Sequence, residues 1–221
     1  MKKETEKEKD KEKLEEFKKA VRKLNTPSRI QDFLNKIPCN FEEDGKDTCL
    51  SPLSVLKKNK CHCIEGALFA AACVWLNKIG DGKEKGKPII VDMIGEEGDW
   101  DHEITVFKID GTFGAISKTN HAVLRYREPV YSSIRELVMS YFHEYTDDRG
   151  LGRKTLRKYS VPVDLSVFGT DWITSDEDLW HIHDYLDSVK HFSILTRKQI
   201  RNLRKADEIE IKMGELVEWK K

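Results

Sequence analysis

Cys63-Ile64-Glu65-Gly66-Ala67-Leu68-Phe69-Ala70-Ala71-Ala72-Cys73-Val74-Trp75-Leu76, continued to Ile79, has apolar residues on every face of a 3.6-residue period. A helix that is apolar all round belongs at the centre of a domain, so this stretch is expected to be the buried axis of the fold. Upstream, Ser28 and Gln31 stand at capping-box spacing before Ile30, Phe33, Leu34 and Ile37, which predicts a short amphipathic helix. Residues 39–46 read as a loop. Ser51-Pro52 then supplies an N-cap and a first-turn proline for a brief helix with Leu53, Val55 and Leu56.

Downstream the period changes from 3.6 to 2. After a Gly- and Lys-rich turn at residues 80–87, residues 88–94 read as a buried strand and residues 102–109 as another. Asp110-Gly111 is a strong hairpin signal and makes residues 112–117 the return strand. Leu124, Tyr126 and Val130 suggest an edge strand, residues 132–145 a helix, and residues 159–165 a further strand. Ser175 and Asp178 precede a helical stripe of Leu179, Ile182, Leu186 and Val189. The fold class expected is therefore α+β, a central buried helix packed on an antiparallel sheet with flanking helices.

The chain has 221 residues with 39 Lys+Arg and 39 Asp+Glu, a formal charge of zero, which gives no reason to expect nucleic acid as a partner. Residues 1–24 hold ten basic and seven acidic side chains and form a charged helical extension that docks only by its end. Residues 25–195 make the domain, and residues 196–221, opened by Thr196 with Gln199, a charged C-terminal helix. The longest apolar run, residues 67–76, is about half the ~20 residues of a membrane span, so a soluble, cytoplasmic protein without a membrane partner is expected.

Five cysteines without a secretory leader point to thiol chemistry rather than a disulfide framework. Cys63 stands on the first turn of the buried helix, where unpaired N–H groups and the helix dipole favour thiolate. His102, at the start of the hairpin beside that helix, is the expected imidazole partner. A two-residue turn at Asp110-Gly111 pairs Ile109 with Thr112, puts Thr119 opposite His102, and brings Ser117 diagonal to it on the same face, where its hydroxyl reaches the ring.

At these residues the sequence resembles the transglutaminase-like superfamily, of the papain-like cysteine fold. The run Cys63-Ile64-Glu65-Gly66-Ala67 before an Ala-rich helix, a His opening a strand, and Phe113 four positions before Ser117 carry the likeness over residues 50–120. Residues 63–71 and 114–145 are further similar to uncharacterised prokaryotic transglutaminase-like proteins, extending it to about residue 190. The resemblance implies a papain-like, transglutaminase-type core and a cysteine-dependent acyl-transfer enzyme, either hydrolase or transferase, acting on a peptide, amide or acyl substrate without a cofactor. Cys63 and His102 are its implied catalytic pair. Where the family pattern has Asp, this chain has Ser117, and Asn120 is the second candidate for orienting the ring. A serine cannot stabilise imidazolium by charge, which motivates the alternative of a non-catalytic protein-interaction module on the same fold.

Lys118, Arg125 and Arg127 follow the site closely and are candidate substrate contacts for a carboxylate-bearing ligand, against structural pairing of the arginines with Glu128, Glu136 or Asp148. Glu65 is either substrate-facing or a dipole-compensating residue of the first helical turn. Zinc is the rival chemistry, with Cys61, His62 and Cys63 near Cys39 and Cys49. Their spacing lacks the two-to-four-residue gap of zinc knuckles, so no metal is expected. Cys61 also offers itself as a disulfide partner for Cys49 or a redox partner for Cys63.

Overall fold

The computed structural model describes residues 2–42, 45–147 and 151–220, with only the backbone of residues 2–7; Glu43, Asp44 and Asp148 lie outside the described residues. Helices α1 (Lys2–Val21), α2 (Pro27–Lys36), α3 (Pro52–Lys58) and α4 (Cys63–Leu76) come first, then strands β1 (Ile89–Ile94), β2 (His102–Ile109), β3 (Thr112–Ser117) and β4 (Arg127–Tyr131). Helix α5 (Ile134–Met139), strands β5 (Lys158–Ser160) and β6 (Val163–Asp164), helices α6 (Asp171–Thr174) and α7 (Trp180–Ser188), strand β7 (His191–Ser193), and helices α8 (Arg197–Arg201) and α9 (Glu208–Glu215) follow. The architecture is α+β. Among the described residues the strands form one sheet in the order β4-β3-β2-β1-β5-β7, with β6 also on β1, and every pairing is antiparallel.

Local chemistry accounts for the element boundaries. Ser51 accepts from Ser54 N–H and Pro52 follows it at the first helical position, starting α3. Asn59 closes the same helix in the left-handed region, φ 52°, a conformation asparagine tolerates better than most residues. Asp110 and Gly111, at φ 52° and 79°, make the two-residue turn that sets the hairpin register, Ile109 opposite Thr112 and Ile104 opposite Ser117. The helix expected over residues 132–145 is shorter, because turns replace regular helix after Met139. The single strand expected over residues 159–165 is split by Val161-Pro162 into β5 and β6. After Thr196 there are two short helices, α8 and α9, where one was expected.

The sheet carries a core on each face. On one, α4 is buried from Ile64 to Val74 with Ile90, Phe107 and Ile116 beneath it. On the other, Leu137, Val138 and Tyr141 cover Val91, Met93, Ile104, Val106 and Ala115. Helix α1 docks by its C-terminal end: Phe17 packs edge-on to Phe69 at 5.9 Å, and Asn77 Nδ2 donates to the carbonyls of Val21 and Leu24. Among the described residues no helix is long and apolar enough to cross a membrane.

Close approach of α4 to β3 depends on Gly66. A Cβ there would lie 2.3 Å from Lys118 Cβ, which is bonded directly to the backbone just after β3 and cannot rotate aside. Alanine normally favours a helix interior by about 1 kcal/mol over glycine. Here Gly66→Ala is expected instead to cost a net 1–3 kcal/mol, roughly, from overpacking, read as a lower urea midpoint at constant m; an unchanged or higher midpoint would show that the contact is not tight.

Candidate active site

Helix α4 begins over the end of β2, and the facing of β2 decides what its first residue meets. Thr105 Oγ1 donates to Ala67 O at 2.6 Å, and Phe107 packs in the α4 core, whereas Ile104 and Val106 belong to the opposite core. Side chains alternate along a strand, so Glu103 projects toward α4 and His102 away from it. The Cys63 thiol and the Glu103 carboxyl are neighbours that shift each other's proton affinity. Ile64 N–H, on the first turn of α4, also faces the sulfur.

Imidazole and thiol therefore do not form the expected pair. His102 Nε2 lies 2.8 Å from Ser117 Oγ, which itself donates to Leu124 O at 2.5 Å. A hydroxyl has one proton to give, so the ring nitrogen donates to Ser117. The diagonal His102–Ser117 contact expected from the register is present, but on the face away from α4. Burial holds the His102 ring down to about 4, the Leu124 carbonyl only partly offsetting it, so the ring is neutral at pH 7. Asn120 does not bond the ring either: it accepts from Trp219 N–H at 2.8 Å and donates to Trp219 O at 2.9 Å, tying down the C-terminal segment.

The four residues expected to contact substrate are engaged in holding the fold. Glu65, fully buried, accepts from Thr48 Oγ1, Leu50 N–H, His62 N–H and Asn40 Nδ2 at 2.7–3.1 Å for the closest contacts, so it anchors the loop ahead of α4. Lys118 Nζ donates to Leu34 O and Ile37 O at 2.9 and 2.6 Å, satisfying carbonyls at the end of α2. Arg125 pairs with Glu218 and Arg127 with Glu144, the latter guanidinium stacked 4.0 Å from the Tyr141 ring. Neither arginine meets the Glu128 or Glu136 weighed as its partner.

Three residues that sequence reading did not single out complete the site. Glu103 lies opposite Asp92 of β1, and Asp92 Oδ2 is 3.1 Å from His191 Nε2. His191 Nδ1 is 2.8 Å from Val189 O, and a carbonyl only accepts, so that nitrogen carries hydrogen. The Asp92–His191 contact then requires one more proton, on the ring or on the carboxyl. Burial pushes Asp92 up to about 6, and burial with the neighbouring Asp92 charge pushes Glu103 up to about 8. Burial first, then the Glu103 charge, push the Cys63 thiol well above its ordinary value. The resting pair is a neutral thiol against a carboxyl of high proton affinity.

No family model matches this sequence, and no curated protein matches it.

Cys63, Glu103 and His102 all border a cleft of about 890 Å³, together with Trp100, Trp180 and His183. Its wall includes Glu42, Asp47, Asp101 and Glu215, and Lys118 is the one lysine or arginine among the described lining residues. Among the described residues no group of three or more His, Cys, Asp or Glu is arranged to hold a metal ion.

The two shifted groups set opposite pH dependences. Glu103 goes from 4.5 to about 8, so the folded chain holds more protons across that interval and stability falls as pH rises through it. His102 goes from 6.5 to about 4, so stability falls as pH drops through that lower interval. Above pH 6.5 only the Glu103 limb remains of these two. Wild-type unfolding free energy is expected to fall by about 1–2 kcal/mol from pH 6.5 to 8. In Glu103→Gln this limb flattens; an equal slope in both proteins would remove Glu103 as its source.

Proposed function

We propose that this chain is a thiol-dependent acyl-transfer enzyme whose nucleophile is Cys63 and whose proton acceptor is Glu103. The observation that carries the reading is the Cys63 thiol beside the Glu103 carboxyl at the first turn of a buried helix, both at the border of one cleft. As the sulfur bonds to an acyl or amide carbonyl carbon, Glu103 takes the thiol proton and returns it to the leaving group. A carboxyl raised to about 8 takes a proton from the raised Cys63 thiol at less cost than an ordinary carboxylate would. N–H groups of the first turn of α4 are available to a developing oxyanion, each such donor being worth about 3 kcal/mol.

The helix with Cys63 at its start, packed on an antiparallel hairpin, supports a papain-like, transglutaminase-type arrangement. In this reading His102 is not the base, because its ring leaves β2 on the other face and holds Ser117. The acidic wall and the engaged Lys118, Arg125 and Arg127 favour a neutral or cationic substrate over the carboxylate-bearing ligand first expected. Water as acceptor makes the reaction a hydrolysis, and an amine makes it a transfer.

One observation favours the second reading, a non-catalytic interaction module: the resting Cys63 thiol is held neutral. The two readings separate with p-nitrophenyl acetate. An enzyme gives a burst of one nitrophenol per chain and one acetyl group on Cys63 by peptide mass. The burst is absent in Cys63→Ala, and its rate rises through about pH 8 as Glu103 loses its proton. Acetylation spread over several residues, or unchanged in Cys63→Ala, contradicts the enzyme and leaves the module.

A further inference from the structure

Two further cysteines lie side by side, Cys39 at the rim of the same cleft and Cys61 buried behind it. Cys39 follows α2 and Cys61 precedes α4, and the two segments pair as a short parallel bridge with Cys39 opposite Cys61. Asn40 N–H donates to Cys61 O and Cys61 N–H to Pro38 O, both at 3.2 Å. Paired strands run about 4.8 Å apart, inside the roughly 4.4–6.8 Å between Cα atoms that a disulfide spans. Directly opposed residues also project to the same side of the ladder. Both side chains are free thiols, Cys39 partly exposed at the cleft and Cys61 buried. Burial raises the proton affinity of both thiols, and the Lys118 ammonium, within electrostatic reach of each, offsets part of that rise.

The other thiols are placed differently. Cys63 stands beside Glu103, Cys73 is buried within α4, and Cys49 is buried with its backbone bound to Asp178 and Leu179. The residue opposite Cys61 is thus neither of the partners, Cys49 and Cys63, that its sequence position suggested.

We propose that Cys39 and Cys61 are a reversible redox pair, oxidised to a disulfide by a hydroperoxide entering through the cleft. The Cys39 sulfur attacks the peroxide, the O–O bond breaks, and Cys39 becomes a sulfenic acid with release of water or alcohol. The Cys61 sulfur then displaces the hydroxyl, which leaves as water with the Cys61 proton. Two electrons pass from the sulfurs to the peroxide, and a dithiol reductant returns the pair to thiols. The cross-link joins the start of α4 to the loop whose Asn40 holds Glu65, so it staples the cleft wall next to Cys63.

The test is oxidation of the full chain with hydrogen peroxide, blocking of free thiols, and tryptic digestion without reduction. The expected product is the peptide of residues 37–46, carrying Cys39, joined to that of residues 61–78, carrying Cys61, Cys63 and Cys73. It persists in Cys63→Ala, is lost in Cys39→Ser, and disappears on treatment with dithiothreitol. Loss of the link in Cys63→Ala, an internal Cys61–Cys63 bond, a link to Cys49 in its place, or no link would each overturn the pair. Because the link is read in Cys63→Ala as well, its failure is distinguishable from failure of the acyl-transfer reading.

Discussion

The hydroxyl of Thr105, bonded to the Ala67 carbonyl in α4, fixes which face of β2 looks toward the central helix. From that one contact the chemistry of the site follows by alternation. Odd-numbered residues of β2 meet α4, so Glu103 stands beneath Cys63; even-numbered residues enter the second core, so His102 stands beside Ser117. A shift of one residue would exchange the two side chains and turn a thiol–carboxyl pair into a thiol–imidazole pair.

Holding that register requires burying polar groups, and each is satisfied where it matters to the frame. Glu65 ties Asn40, Thr48 and Leu50 to the first turn of α4, and Lys118 closes the end of α2 while packing against Gly66. Gln31 exchanges two hydrogen bonds with the Ser117 backbone at 2.8 and 2.9 Å, extending β3 as a further strand residue would. Two of the exceptions among the described residues stand at the site: Glu103 Oε2 and Asp92 Oδ1 are buried without a hydrogen-bond partner. Orphaned buried oxygens cost free energy and raise proton affinity, which is how Glu103 comes to hold a proton near neutral pH.

The central helix, the hairpin and its register were legible because they rest on local signals, an all-round apolar period and the Asp110-Gly111 turn. The site was only half legible. Cys63 at a helix start can be read from pattern, but the facing of β2 cannot, since both of its faces are buried and apolar residues occupy odd and even positions alike. Asp92 and His191 are brought together by pairing of β1 with β5 and of β5 with β7, contacts nearly a hundred residues apart that no local spacing announces. Structural pairing was foreseen for Arg125 and Arg127 but not with the right partners, because Glu218 and Glu144, like the α2 carbonyls that hold Lys118, lie beyond any local spacing.

The proton affinity of Cys63 tests the account most directly, measured as the rate of iodoacetamide labelling at that residue against pH, resolved by peptide mass. With Glu103 as partner, wild type titrates above an ordinary thiol. Glu103→Gln then brings the titration down by removing the neighbouring charge, and His102→Gln leaves it in place. A wild-type thiol that titrates below the ordinary range and rises in His102→Gln would mean that the imidazole, and not the carboxyl, holds the sulfur.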